Sequence, residues 1–232
     1  MRNSFKRKAL GPMTIALLLC VGVATANASV AYSNLGSPPQ FDDQNGWLID
    51  GGVVAGQMLA VAFTPGQTIQ PTQAQLALGN IFSNLAQIPI DVSLAQDSSG
   101  LPGGLLGGLQ LAGGQSIGPF LPGNLVNFIC SGTCPTLNAG QQYWLVVQMV
   151  GTGLDVFESQ GEWNWNVNQD YSNGSNFAYN DTQFGGGWTY VDSSFLRPAF
   201  EIGTAPEPSS VLLFGSGALG VAGFVRRRWL KM

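Results

Sequence analysis

Carboxylates are the side chains in this sequence that best suit catalysis. The sequence contains no histidine, which excludes Ser-His-Asp and Cys-His arrangements and removes the usual zinc and non-haem iron ligands. Glu158, Glu162 and Asp170 lie near several aromatic residues, and two carboxylates at a suitable separation are enough for glycoside hydrolysis. Nothing in the sequence fixes that separation. We therefore expect these carboxylates to be solvated loop charges, and we predict no catalytic residue and no cofactor. A glycoside hydrolase is the third of three hypotheses for the function.

The aromatic-rich segment from residue 163 to residue 195 is the strongest candidate for ligand binding. In the stretch EWNWNVN, a strand would place Trp163 and Trp165 on one face and Asn164 and Asn166 on the other. The candidate platform consists of Trp163, Trp165, Tyr171, Tyr179 and Trp188. Aromatic faces beside Asn and Asp groups can hold a sugar ring, so a carbohydrate-binding module using the Trp163–Trp188 region is the alternative function. Such residues are more typical of a core, where each buries about 150–250 Å².

Two stretches rich in Asp and Asn offer oxygen ligands for calcium. They are DDQNG, at 42–46, and NQDYSNGSN, at 168–176. Both lack the calcium-loop pattern in which acidic residues alternate before a glycine and a distal glutamate. We expect them to form turns closed by Asx side chains, and we predict no metal site.

Positive charge is concentrated at the two ends of the chain. Arg197 is the only basic residue between Ser29 and Ala205, and twelve acidic residues give that segment a net charge of −11. Nucleic-acid binding requires Lys and Arg side chains that neutralise phosphates, so we predict no nucleic-acid partner.

The first 28 residues have the three parts of a secretory signal peptide. A basic region precedes the apolar run Met13–Ala24, and Ala26-Asn27-Ala28 is an A-x-A cleavage signal. We expect signal peptidase to cut there, so that the mature chain begins near Ser29 and Cys20 is removed. The alternative is a membrane-spanning helix, but the run is shorter than the ~20 apolar residues that a span needs.

The C-terminal segment 205–232 contains a second apolar run. Val211–Val225 has 15 apolar or small residues, and as a helix it would reach about 22 Å against a hydrocarbon core of about 30 Å. We predict a marginal transmembrane helix over residues 209–226 that inserts transiently. The arginines that follow it would stay in the cytoplasm by the positive-inside rule.

This segment resembles the PEP-CTERM sorting signal of Gram-negative bacteria. The signal combines a Pro-Glu-Pro motif, an apolar helix and an arginine cluster in that order. The matching residues are Pro206, Glu207, Pro208, Arg226, Arg227 and Arg228. The resemblance implies recognition by a membrane-embedded exosortase, loss of the tail, and then release or attachment at the cell surface. It also implies an association with biofilms, with exopolysaccharide as a further candidate partner.

Short strand-like runs broken by Gly, Pro, Asn and Asp fill the body, residues 29–204. Runs such as IPIDVSLAQ alternate apolar and polar residues, whereas QQYWLVVQMV is apolar on both faces and indicates a central strand. This pattern predicts an all-β β-sandwich, with a jelly roll as one topology. Stretches including AVAFTPG, AQLALGNI and LNAGQQYWLVV resemble choice-of-anchor R domains, which implies an extracellular β-sandwich module.

Cys130 and Cys134 are the two cysteines of the body. An exported chain enters an oxidising compartment, where a pair of cysteines is readily bridged. We predict a disulfide between them; the alternative is a pair of free thiols. Taken together, the sequence predicts a non-enzymatic exported protein of the cell surface or extracellular matrix.

Overall fold

The computed structural model describes residues 28–51, 56–81, 90–112, 123–130, 132–149, 160–181 and 186–204, and Ser29–Ala205 makes up one compact unit. The described part of the chain is all-β, as the sequence predicts. Its strands are β1 Val30–Ser33, β2 Phe41–Gly51, β3 Gly56–Phe63, β4 Gln73–Asn80, β5 Ile90–Ser98, β6 Leu101–Leu111, β7 Asn124–Cys130, β8 Tyr143–Met149, β9 Gln160–Asn166, β10 Phe177–Asp181, β11 Trp188–Tyr190 and β12 Phe200–Gly203.

Eight of the strands close into an antiparallel barrel. Around the ring their order is β2, β3, β8, β5, β6, β7, β4 and β9, and β9 pairs again with β2. The remaining four strands are attached to two strands of the ring. β12 pairs with β4 and carries β1, while β10 pairs with β3 and carries β11.

Alternating side chains fill the barrel. Leu59 and Val61 of β3 lie opposite Val147 and Leu145 of β8, and all four are fully buried in the main hydrophobic core. An eight-stranded barrel is just wide enough for side chains to fill its interior. On the outer face of the same sheet, Trp144 and the small residues beside it form a second buried cluster. β8 is therefore buried on both faces, as its apolar sequence predicts.

The β-sandwich prediction is not confirmed, because the hydrogen-bonded strands form a closed ring. Alternation of apolar and polar residues is the same in a sandwich and in a barrel, so it does not report closure. Closure depends on β2, which pairs with both β3 and β9. The sequence prediction missed β2, since the turn-forming residues of 42–45 interrupt it. The other predicted runs correspond to observed strands.

β6 is another strand that the sequence does not predict, because it is rich in glycine. The segment Leu101–Leu111 contains four glycines, yet it pairs with β5 through two irregularities in register. Gly103 is needed there because a Cβ atom at that position would lie 2.7 Å from Cβ of Ser98. Gly103 therefore serves close strand approach, and the glycines of this segment do not mark the end of a strand.

The two ends of the body meet. The backbone N–H of Ser29 donates to Oγ1 of Thr204 at 3.0 Å, and the N–H of Thr204 donates to the carbonyl oxygen of Ser29 at 2.8 Å. The described residues contain no helix that is long and apolar enough to span a membrane. The signal peptide predicted over 1–28 lies almost wholly outside the described residues, and the helix predicted over 209–226 and the sorting residues 206–208 and 226–228 lie fully outside them.

Candidate functional site

An ion pair between a buried arginine and a partly buried aspartate is the centre of a polar cluster in the described part of the body. Nη1 of Arg197 lies 3.0 Å from Oδ2 of Asp170, and the same Nη1 donates to the hydroxyl of Tyr32 at 3.1 Å. Nη2 of Arg197 donates to the carbonyl oxygen of Ala62 on β3. Arg197 is only 5% exposed. The one cation of the body therefore joins the segment before β12, the segment after β9, and strands β1 and β3.

Three asparagines extend this cluster with hydrogen bonds to the backbone. Asn34 donates to Oδ2 of Asp170 and accepts from the N–H of Phe200, at 2.9 and 2.8 Å. The amide of Asn166 donates to the carbonyl oxygens of Asp170 and Arg197, and Asn168 donates to the carbonyl oxygen of Asn34. Most of the backbone groups that these bonds satisfy lie outside regular strands, after β1, after β9 and before β12.

Tyr32 shows how this cluster affects titration. Burial raises the pKa of the Tyr32 phenol, and the adjacent Asp170 adds to the rise while Arg197 opposes it. The guanidinium carbon of Arg197 also lies 5.8 Å from the centre of the Tyr32 ring. The cluster joins β1 and β3 to the segments that follow β9 and precede β12, which is the arrangement of a structural clamp. Sequence reasoning missed this cluster, although the isolation of Arg197 in an acidic body was a usable signal.

The residues of the predicted aromatic platform do not share one surface. Trp163 is fully buried, and its Nε1–H donates to the carbonyl oxygen of Ala199 at 3.0 Å. Tyr179 packs against the main core, Trp165 is half-buried, and Tyr171 is 47% exposed. Trp188 lies on the outer face of the sheet. Trp188 is half-buried, and it is the member of the set that lines a groove on that face.

The carboxylates predicted as alternatives for catalysis occupy different environments. Asp170 is held by Arg197, whereas Glu162 lies on β9 against the turn at 42–45. Glu162 is only 7% exposed. Desolvation by burial, with a smaller contribution from the nearby charge of Asp42, raises the pKa of the Glu162 carboxyl. Glu158 lies outside the described residues.

A shallow groove of about 200 Å³ lies on the outer face of the barrel. Ser93 of β5 and Val146 of β8 are cross-strand neighbours in its floor, and Asp91 and Gln148 are the next pair on the same face of these two strands. Trp188 lines it as well. The start of β6 contributes Pro102, Gly103 and Leu105.

Asp97 holds the turn that places the start of β6 beside this groove. Its carboxylate accepts from Nε1 of Trp144 and from Nε2 of Gln142, both at 2.8 Å, and from the N–H of Gly100 at 3.0 Å. Desolvation opposes ionisation of Asp97, but these three hydrogen bonds outweigh it and lower the pKa. The ionised side chain therefore fixes the β5–β6 turn against β8.

The disulfide prediction is confirmed. Cys130 and Cys134 are bonded, with Cα atoms 5.8 Å apart, a separation within the usual range for a disulfide. The stretch at 42–46 forms the expected turn, since Asp42 Oδ1 accepts from the N–H groups of Gln44 and Asn45. Within the described residues, no three acidic, His or Cys side chains are grouped as a metal would need.

The structure therefore defines an antiparallel β-barrel with a buried ion-pair clamp and an open surface groove. Residues 204–228 match the family model of the PEP-CTERM protein-sorting motif, which confirms that part of the sequence interpretation. The match supports an exported protein that an exosortase processes at the membrane. The resemblance of the body to choice-of-anchor R domains is not confirmed. No curated protein matches the chain.

Proposed function

We propose that this chain is a non-enzymatic protein of the bacterial cell surface or extracellular matrix, delivered there by exosortase-dependent sorting. The observation that carries the proposal is the match to the sorting motif at residues 204–228. The match starts at Thr204, the residue that closes the ladder between the two ends of the body. The folded barrel is thus complete at the point where the sorting segment begins.

The body suits a structural or adhesive role. Its one basic residue is committed to holding the fold, since Arg197 is paired to Asp170. Its strongly acidic surface favours solubility outside the cell and disfavours association with other polyanions. A matrix rich in exopolysaccharide is the setting that we propose, and the carbohydrate-binding alternative is developed below on the groove that contains Trp188.

The sorting step is tested by replacing Pro206, Glu207 and Pro208 with alanine in a host that carries an exosortase. We expect the variant to accumulate as an unprocessed membrane-retained form, and the unchanged chain to do the same in a host without the exosortase. Intact-mass spectrometry of membrane, surface and medium fractions measures both cut sites. Normal processing of the triple-alanine variant would contradict the proposal.

The non-enzymatic role requires a separate test. The purified protein is incubated with neutral and acidic polysaccharides, and new reducing ends are measured. We expect no release above background. Release that is abolished by E162Q or D170N, in variants that remain folded, would instead favour the glycoside hydrolase alternative.

A further inference from the structure

The groove beside Trp188 combines a half-buried indole with polar side chains on a rigid floor. Asp91 and Gln148 lie directly opposite each other on β5 and β8, and both are exposed. Ser93 and Val146 form the next cross-strand pair on the same face of the sheet. All four residues sit on strands of the closed barrel, so their spacing is fixed by the hydrogen-bonded ladder and does not depend on a loop.

Both kinds of surface that a sugar ring requires are present. Trp188, Met58 and Leu105 supply apolar area, and Leu105 is 68% exposed. The carboxylate of Asp91 accepts hydrogen bonds, the hydroxyl of Ser93 does both, and the amide of Gln148 donates and accepts. A pyranose presents an apolar C–H face and a rim of hydroxyls, which are complementary to an indole and to such polar groups.

The size of the groove limits the ligand. Its volume of about 200 Å³ is below the range of about 300–1,000 Å³ that is usual for pockets that bury a whole drug-sized molecule. The groove is open to solvent, so a longer chain can continue beyond it. A single residue of a polysaccharide therefore fits the site, with the neighbouring residues outside.

The charge of the body sets the type of sugar. Asp91 lines the groove, and Arg197, the only basic residue between Ser29 and Ala205, is buried in its ion pair. No cationic side chain of the body is therefore available to a carboxylated or sulfated glycan. Repulsion between like charges would weaken binding of an acidic chain, whereas a neutral hexose makes the same hydrogen bonds without that cost.

We propose that the groove formed by Trp188, Asp91, Gln148 and the start of β6 binds a hexose residue of a neutral polysaccharide. The inference extends the proposed role in the matrix by naming the partner. It does not depend on the sorting step, because binding is measured on the purified protein. Failure of exosortase processing would leave this inference standing, and failure of binding would leave the sorting proposal standing.

The test uses isothermal titration calorimetry on the protein expressed with its own leader and tail and purified after export. The probes are gluco-, manno- and galacto-configured neutral hexasaccharides and an acidic oligoguluronate, in buffer without divalent cations. We expect at least one neutral probe to bind with a Kd on the order of 1 mM and the acidic probe to bind at least about tenfold more weakly.

Single substitutions test whether the oligosaccharide binds in this groove. W188A should weaken the neutral probe about tenfold, and D91N and Q148A should each weaken it severalfold. Y171A is the matched control, because Tyr171 is an exposed aromatic outside the groove, and it should leave affinity unchanged. If W188A loses its near-ultraviolet circular dichroism, D91N and Q148A decide the question.

Three results would overturn the inference. They are an absence of binding to all three neutral probes at millimolar concentration, equal binding of the acidic probe, and a loss of affinity in Y171A as large as in the groove variants.

Discussion

Arg197 and Asp170 form an ion pair of 3.0 Å in which the arginine side chain is almost completely buried. The two residues belong to different segments, one before β12 and the other after β9. The backbone also links them, since the N–H of Arg197 donates to the carbonyl oxygen of Asp170 at 2.9 Å. An isolated antiparallel bridge between Tyr171 and Leu196 joins the same two segments. The ion pair therefore reinforces a short backbone contact between segments that lie outside the regular strands.

Removing the arginine should destabilise the body strongly. R197M leaves Asp170 without its cation and the carbonyl of Ala62 without its donor. Breaking a buried pair costs about 3–5 kcal/mol, and the 25% exposure of the Asp170 side chain places the expected loss at the lower end of that range. The double variant R197M/D170N should recover part of this loss, because no uncompensated charge remains. Urea unfolding measures both. D192N, at an exposed aspartate, is the control, and a loss in R197M no larger than in D192N would contradict the structural role.

Glycine at position 46 should be indispensable. A Cβ atom there would lie 2.5 Å from the carbonyl oxygen of Trp163 and 2.7 Å from Cα of Asn164, both on the paired strand. Because backbone atoms cannot move aside cheaply, G46A should cost about 1–3 kcal/mol. G66A is the matched control, since nothing lies within 4 Å of its added methyl group. Thermal melts should separate the two, and equal melting temperatures would show that β2 does not approach β9 as described.

Glu162 should make the body less stable as the pH rises. Burial and the charge of Asp42 raise its pKa in the folded state, so the folded protein binds this proton more tightly than the unfolded chain does. The free energy of unfolding then falls between the unfolded pKa, about 4.3, and the higher folded pKa. E162Q should remove this fall and be more stable than the unchanged protein at pH 7, but not below about pH 4.

Urea unfolding across this pH range measures the effect of E162Q. E201Q, which removes one negative charge on β12, controls for the overall charge of the protein. A pH dependence that is identical in E162Q and in the unchanged protein would contradict the assignment.

The Cys130–Cys134 disulfide should contribute modestly to stability. The bridge spans only four positions, and closing so short a loop removes about 2 kcal/mol of unfolded-state entropy. C130S/C134S should therefore lower the free energy of unfolding by about that amount without loss of the fold. A thiol titration of the exported protein should find no free thiol at these positions, and two equivalents in the native state would exclude the bridge.

The sequence predicts a strand wherever the residues of that strand themselves show a recognisable pattern. Alternation identified β5, and continuous apolar character identified β8 as buried on both faces. Closure of the barrel could not be predicted from the sequence, because it depends on the pairing of β2 with both β3 and β9. β9 lies more than a hundred residues further along the chain than β2. A period of two residues says which side chains share a face, and nothing about how distant strands meet.

The aromatic segment shows the same limit at the level of side chains. The sequence assigned Trp163 and Asn164 to opposite faces of a strand, and the structure places them on adjacent positions of β9 with both fully buried. Alternation identifies the two faces but does not say whether a second segment covers the outer one. Here Gly123, just before β7, lies against the side chain of Asn164, and no local pattern encodes a contact between segments so far apart in the chain.

The hydrogen bonds between Ser29 and Thr204 hold the two ends of the barrel next to each other. A domain whose first and last residues touch can be spliced into a surface loop of an unrelated host protein without forcing that loop apart. The same property would allow the barrel to be inserted into different proteins during evolution. We expect the barrel to keep its fold after such an insertion.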